Sequence, residues 1–233
     1  MLKFKSNIIF AGILLATSLS TGLLSSHAIA ETAMVVPVAT MVEPVTGDGM
    51  EKAVLAGGCF WGVQGVFQHV KGVQNAVSGY AGGKADTASY ETVSGGETGH
   101  AESVEITFDP QVINYATLLQ IYFSVVHNPT ELNYQGPDTG TQYRSAIFPE
   151  SDTQTQVARA YIDQLNKAAV FKAPIVTTIE PSKTFYAAEG YHQDYLTLHP
   201  NQPYIAFNDI PKVNDLKHYF PSLYSEEPKL VKG

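Results

Sequence analysis

Gly57-Gly58-Cys59-Phe60-Trp61-Gly62 holds the only cysteine and the only tryptophan of a 233-residue chain. One thiol can neither close an internal disulfide nor build a thiolate-rich metal site. The apolar, strand-like Ala53-Val54-Leu55-Ala56 precedes it, and Trp61 to Val70 space their apolar residues as a helix does. Cys59 therefore stands where a strand turns into a helix N-terminus, where free N–H groups and the helix dipole favour a thiolate. The glycines admit a substrate to the sulfur, and two large rings follow it. A lone cysteine is commonly a small buried hydrophobe, but this frame suits a nucleophile in an aromatic-walled pocket. A phosphate-binding loop is excluded, because Val63-Gln64 stand where Lys and Ser/Thr are needed.

Other polar residues sit in unusual contexts. Gly99-His100-Ala101-Glu102 puts a carboxylate at the start of a half-buried strand, and Tyr80 lies among glycines. Thr141-Gln142-Tyr143-Arg144-Ser145 opens a strand with mostly polar groups, shortly after Asp138. Singly, each fits a solvated strand end, a surface tyrosine or a strand edge.

Together they resemble the peptide methionine sulfoxide reductases of the A class. The resemblance rests on Gly-Cys59-Phe60-Trp61-Gly, Gly79-Tyr80-Ala81-Gly82-Gly83, Gly99-His100-Ala101-Glu102, Gly140-Thr141-Gln142-Tyr143-Arg144-Ser145 and Tyr191-His192-Gln193-Asp194-Tyr195-Leu196, in that order. It runs from about Ala53 to Leu196. It implies reduction of the S epimer of methionine sulfoxide, free and in proteins, the polar lesion that this enzyme class repairs. Cys59 would attack the sulfoxide sulfur and become a sulfenic acid. Glu102 would deliver the proton, which requires burial to raise its pKa. Tyr80 and Tyr143 match the hydroxyls that bond the sulfoxide oxygen. Phe60 and Trp61 would cup the S-methyl group, Asp138 would orient the polar side, and His192 would bond a neighbouring loop.

The chain departs from the fuller family pattern in having no second cysteine, so the resemblance implies regeneration by an external thiol, either small or a thioredoxin-like protein. No bound cofactor and no metal are expected. Smaller departures are Asn128, where relatives usually carry Asp, and Ala187, where Pro is common. Two other readings compete. A thiol hydrolase or acyl-transferase would use His100 or His192 to activate Cys59 and form an acyl-enzyme. A non-catalytic module would bind methionine-rich or oxidised segments through Phe60, Trp61 and the tyrosines. Seven histidines are scattered, with no spacing that sets two on one helix face, which disfavours a metal enzyme.

The elements that must position these groups alternate helix and strand, the pattern of a sheet with helices packed on it. With the resemblance, this implies an α+β fold, a two-layer sandwich of ferredoxin-like type with a mixed sheet. Strands are expected over Glu102–Phe108, Tyr143–Phe148 and Ile175–Glu180. A glycine-rich loop should run to Gly99. Helices are expected over Tyr115–Val126, capped by Asn114, and from Ser151, with Gln154 as its capping-box partner, to about Ala169.

At the N-terminus, Lys3 and Lys5, the apolar Ile8–Leu24 and the small-x-small Ala28-Ile29-Ala30 read as a signal peptide over residues 1–30. An uncleaved anchor is the rival, weakened by Ser18, Ser20, Thr21 and Gly22. The expected protein is exported, periplasmic or secreted, and free of stable membrane association after cleavage. Removing the leader leaves 233 less 30, or 203 residues, enough for one domain. Basic residues fall to 14 less 2, or 12, against 22 acidic ones, so nucleic acid is not an expected partner. Residues 31–50 read as a flexible or extended lead-in, 51–224 as the catalytic domain and 225–233 as a solvated tail. A monomer is the default expectation.

Overall fold

The computed structural model describes residues 33–45, 47, 49–181 and 184–231; the leader expected over residues 1–30 lies outside them. Strand β1 (Glu51–Gly57) is buried from Ala53 to its end. Its alternate side chains feed two layers. Ala53 and Leu55 join the main core, whereas Val54 and Ala56 join a smaller cluster with Ala81, Ala101, Ala146 and Phe148 that Phe185 covers. Burial on both faces explains why the strand reads as a continuous apolar run and not as an alternation.

Helix α1 (Phe60–Gln68) follows, then β2 (Val73–Ala81), α2 (Tyr90–Val93) and β3 (Ala101–Phe108). β3 lies between β1 and β2 and runs antiparallel to both, so β1-α1-β2 is a split β–α–β unit. After β3 come α3 (Tyr115–Ile121), the small hairpin of β4 (Tyr134–Gln135) and β5 (Asp138–Thr139), then β6 (Ser145–Phe148) and α4 (Asp152–Lys167). β7 (Thr178–Ile179), β8 (Tyr186–Ala187), α5 (Tyr195–Leu198) and α6 (Ile210–Tyr219) complete the chain. The main sheet has the order β7-β6-β1-β3-β2-β8 and is mixed, since β7 pairs parallel to β6. Side chains of α1, α3, α4 and α6 (Val66, Leu118, Tyr161 and Leu216 among them) bury one face with Leu55, Val104 and Ile106. This is the expected α+β fold.

Both predicted caps form. Asn114 Oδ1 accepts from the Thr117 N–H at 2.8 Å, and Ser151 Oγ from the Gln154 N–H at 3.0 Å. The structure departs from the sequence pattern at several elements. The helix from Tyr115 turns π-helical over Tyr122–Val126. Tyr143 closes a 3-10 turn, Thr141–Tyr143, and the strand begins only at Ser145. Of Ile175–Glu180, only Thr178–Ile179 pairs. The glycine-rich loop contains α2.

The lead-in is extended but firmly seated. Val36 is fully buried; its N–H donates to Ser124 Oγ and its carbonyl accepts from Gln120 Nε2. Tyr161 donates to the Pro37 carbonyl at 2.6 Å, Gln164 bonds Val38 and Thr40, and Glu43 accepts from the Tyr115 N–H at the start of α3. The tail is likewise tied back onto α1 and its C-terminal flank, with Ser225 N–H on the His69 carbonyl and Lys229 N–H on the Gln68 carbonyl.

Candidate active site

Cys59 is the residue at which β1 becomes α1, occupying the N-cap position. Gly58 makes the turn at φ +89°, and a Cβ there would come within 2.8 Å of the Gln135 side chain. That backbone conformation and that close approach both require glycine. The sulfur lies at the edge of the buried core, with Cys59 only 8 % exposed.

β3 supplies the acid. Glu102 projects on the same face as Val104, Ile106 and Phe108, and its Oε2 accepts from the Phe60 N–H at 3.0 Å. A donor at the first position of α1 thus holds the carboxyl one residue from the thiol. Burial pushes the Glu102 pKa up to about 8, with Asp138 and Asp209 reinforcing the shift against the Phe60 N–H. Near neutral pH the group is mostly a carboxylic acid. With Oε2 engaged as acceptor, Oε1 is the oxygen placed to hold the proton.

The thiol behaves differently from the sequence expectation. Burial raises the Cys59 pKa well above the usual cysteine value, and Glu102 and Asp209 push it the same way. The helix terminus acts in the expected sense, through the Trp61 N–H, but desolvation outweighs it. The resting sulfur is therefore a neutral thiol, not a thiolate.

Tyr80 is the Cα partner of Glu102 across the β2–β3 ladder, fully buried on the same face. Its hydroxyl is already engaged, donating to Glu189 Oε2 at 2.8 Å, so it must turn from Glu189 to donate to a substrate oxygen. Tyr143 is partly exposed at the end of the 3-10 turn, close enough to Glu102, Asp138 and Cys59 for their charges to raise its pKa along with burial. Asp138, on the β4–β5 hairpin, accepts a short hydrogen bond from Tyr204.

Phe60 and Trp61 form the apolar wall with Tyr195 and His192, which lie in the last motif, and with Tyr204, which no motif marked. Tyr195 stacks flat on Trp61 at 3.9 Å, and Tyr204 meets it edge-on at 6.1 Å. His192 accepts from Trp61 Nε1 at 3.2 Å and packs on Phe60 at 5.1 Å. It thus orients the indole; the expected bond to a neighbouring loop is not its role. Burial lowers its pKa, which keeps the ring neutral with its proton on Nε2. His100 spans the Gly83 N–H and the Lys84 carbonyl, tying down the glycine-rich loop. Both nitrogens of His100 are thereby committed to the loop, and the acceptor nitrogen of His192, Nδ1, to the indole.

The neighbouring Gln193 side chain bonds both the N–H and the carbonyl of Ser78, extending the edge of β2 as a backbone would. Asn128 closes the turn before Thr130, as expected of Asn in place of Asp. The sequence reading missed Glu189, Tyr204, Asp209 and Lys212. Asp209 is fully buried, with Oδ1 3.3 Å from Lys212 Nζ, and lies against Gly62 of α1. Tyr204, Asp209 and Lys212 follow the last recognisable motif, and no spacing links them to Cys59; Pro203 and Pro211, the latter at the start of α6, are local signals there.

A thiol beside a neutral carboxyl and phenols, under an aromatic wall, makes a reduction centre for a small oxygenated group on an apolar side chain. The family model described as peptide methionine sulfoxide reductase matches residues 51–223. A peptide methionine sulfoxide reductase MsrA 2 of Mesorhizobium japonicum is 69 % identical, over 78 % of this chain and 94 % of its own. A protein of that name from Synechocystis is 49 % identical, over 77 % and 85 %. Among solved structures, reduced Mxr1 of Saccharomyces cerevisiae aligns with a TM-score of 0.59 at 33 % identity, covering 71 % of this chain and 93 % of that one. The chain belongs to the peptide methionine sulfoxide reductases, and its relatives are of the A type. Its reaction is the reduction of methionine sulfoxide.

Proposed function

We propose that this reaction runs on a one-cysteine cycle at Cys59, with Glu102 as the acid. The observation that carries it is the 3.0 Å bond from the Phe60 N–H to Glu102 Oε2, which fixes a protonated carboxyl beside the only thiol. The S epimer of methionine sulfoxide, free or in a protein, enters with its methyl group against Phe60 and Trp61. As Cys59 attacks the sulfoxide sulfur, Glu102 gives its proton to the oxygen and recovers one from the departing thiol hydrogen. Tyr80 and Tyr143 bond the oxygen while charge builds on it, and Asp138, held by Tyr204, orients the polar side. Methionine leaves and Cys59 becomes a sulfenic acid. The oxygen has moved to the protein and the thiol has been oxidised by two electrons.

With one cysteine in the chain, an external thiol attacks the sulfenic acid, releasing water and leaving a mixed disulfide that a second thiol resolves. The leader motif supports work on exported proteins, with the mature chain starting at Glu31, which N-terminal sequencing of the secreted form would check. Incubating the protein with resolved sulfoxide epimers and dithiothreitol should yield methionine from the S form. No methionine from either epimer would falsify the reductase reading. After one turnover without reductant, mass spectrometry should find a sulfenic acid or its dimedone adduct. An obligatory Cys59–Cys59 disulfide between two chains would overturn the cycle.

A further inference from the structure

The chain has four methionines, and all of them precede the catalytic fold: Met1, then Met34, Met41 and Met50 on the seated lead-in. From Glu51 onward there is none, although methionine is a ready filler of irregular core gaps. Cys59 apart, the core is built from Val, Leu, Ile, Phe, Tyr and Ala, side chains that peroxide leaves alone. The oxidisable thioethers are instead displayed. Met34 is 40 % exposed and Met50 is 52 % exposed, whereas Met41 packs against the core.

We propose that Met34 and Met50 are oxidation sites whose sulfoxides are substrates for Cys59 of a second copy of this chain. The proposal rests on the reductase reading and names one substrate for it. A sulfur that is 8 % exposed can be reached only by a thioether that stands out from the surface presenting it. The segment offers that form, extended and without helix or strand, with exposed Val35, Val38, Val42 and Val45 beside its methionines to meet an aromatic wall. Reduction within one chain is blocked for Met50. It adjoins the first residue of β1, whereas Cys59 follows the last, and seven residues of strand separate them by roughly 20 Å. The hydrogen bonds to Ser124, Gln120, Tyr161 and Gln164 keep the segment on α3, its π-helical continuation and α4.

The chemistry balances. Peroxide passes one oxygen to the thioether, giving the sulfoxide and water. Cys59 takes that oxygen as a sulfenic acid and restores methionine. Two external thiols then return Cys59 to the thiol, with release of water and one disulfide. The sum is peroxide reduced to water at the expense of two thiols, with the lead-in as the first point of attack.

The test uses Cys59→Ser protein, which cannot turn over, oxidised with hydrogen peroxide and followed by peptide mass spectrometry. One oxygen should appear on Met34 and Met50 before Met41. Catalytic wild-type protein with dithiothreitol should then remove up to half of it, the S epimer's share, at an initial rate proportional to the wild-type concentration. Free methionine-S-sulfoxide in the same tube is the control. If it is reduced while Met34 and Met50 keep their oxygen, the proposal is overturned and the reductase reading stands. If neither is reduced, both fall. Oxidation of Met41 ahead of the other two also overturns it. Met34→Leu/Met50→Leu protein should reduce the free sulfoxide at the wild-type rate and, among the methionines of the lead-in, take up oxygen only at Met41.

Discussion

Cys59 and Glu102 are tuned in the same direction by the same cause. Each is buried next to other acids, so each holds its proton, and the site rests uncharged at its centre. An acid with a pKa of about 8 is protonated at neutral pH yet still able to give the proton up, which general acid catalysis requires. Glu102→Gln keeps the acceptor for the Phe60 N–H and loses the proton, so single-turnover reduction should fall roughly 10²–10⁴-fold with little change in substrate affinity. Glu102 works in its protonated form, so the wild-type rate should decline as pH rises through about 8. In the Gln variant that decline should vanish. A stopped-flow pH profile distinguishes the two, and equal losses in rate and affinity would count against the acid role.

At the scale of elements, the site depends on how closely α1 approaches its neighbours. A Cβ on Gly62 would lie 2.2 Å from Asp209 Oδ1, so Gly62→Ala must displace the buried Asp209–Lys212 pair. Overpacking of this kind costs roughly 1–3 kcal/mol, which outweighs the gain of up to about 1 kcal/mol in helix propensity. Urea unfolding should show a net loss of stability; a gain would mean that Asp209 moves freely. The lead-in has a comparable role. Val36→Ala removes two methyl groups from a fully buried site and should cost about 2 kcal/mol, whereas a loose lead-in would leave stability unchanged. The strand–helix junction at Cys59, the start of β3 at Glu102 and both helix caps were legible because local pattern and chemistry coincide there. The seating of Val36 was not, since prolines and a lack of period suggest looseness and only the α3–α4 surface supplies a partner. Tyr204 and Asp209 were illegible for a related reason: the C-terminal segment reaches the site through tertiary packing, without a motif of its own.

Across the whole molecule, two buried groups with opposite shifts set how stability responds to pH. Glu102 has a folded pKa of about 8, above its ordinary 4.5. Its contribution is fully present below pH 4.5 and is lost as pH rises through 8, because the folded state then must release a proton it binds more tightly than the unfolded chain does. His127 is shifted down to about 3 from an ordinary 6.5, by burial against the chain segment that backs Gly57. Its contribution is present above pH 6.5 and is lost as pH falls toward 3. Between 4.5 and 6.5 the two gradients oppose each other at roughly 1.4 kcal/mol per pH unit each and nearly cancel. Stability should therefore be level across that window, fall toward pH 8 on account of Glu102 and fall toward pH 3 on account of His127. Glu102→Gln should be more stable than the wild type at pH 8 by several kcal/mol and equal to it near pH 4, read by urea unfolding at each pH. A wild-type curve that rises from pH 6.5 to 8 would show that Glu102 ionises freely in the folded protein, and the neutral acid beside Cys59 would be lost with it.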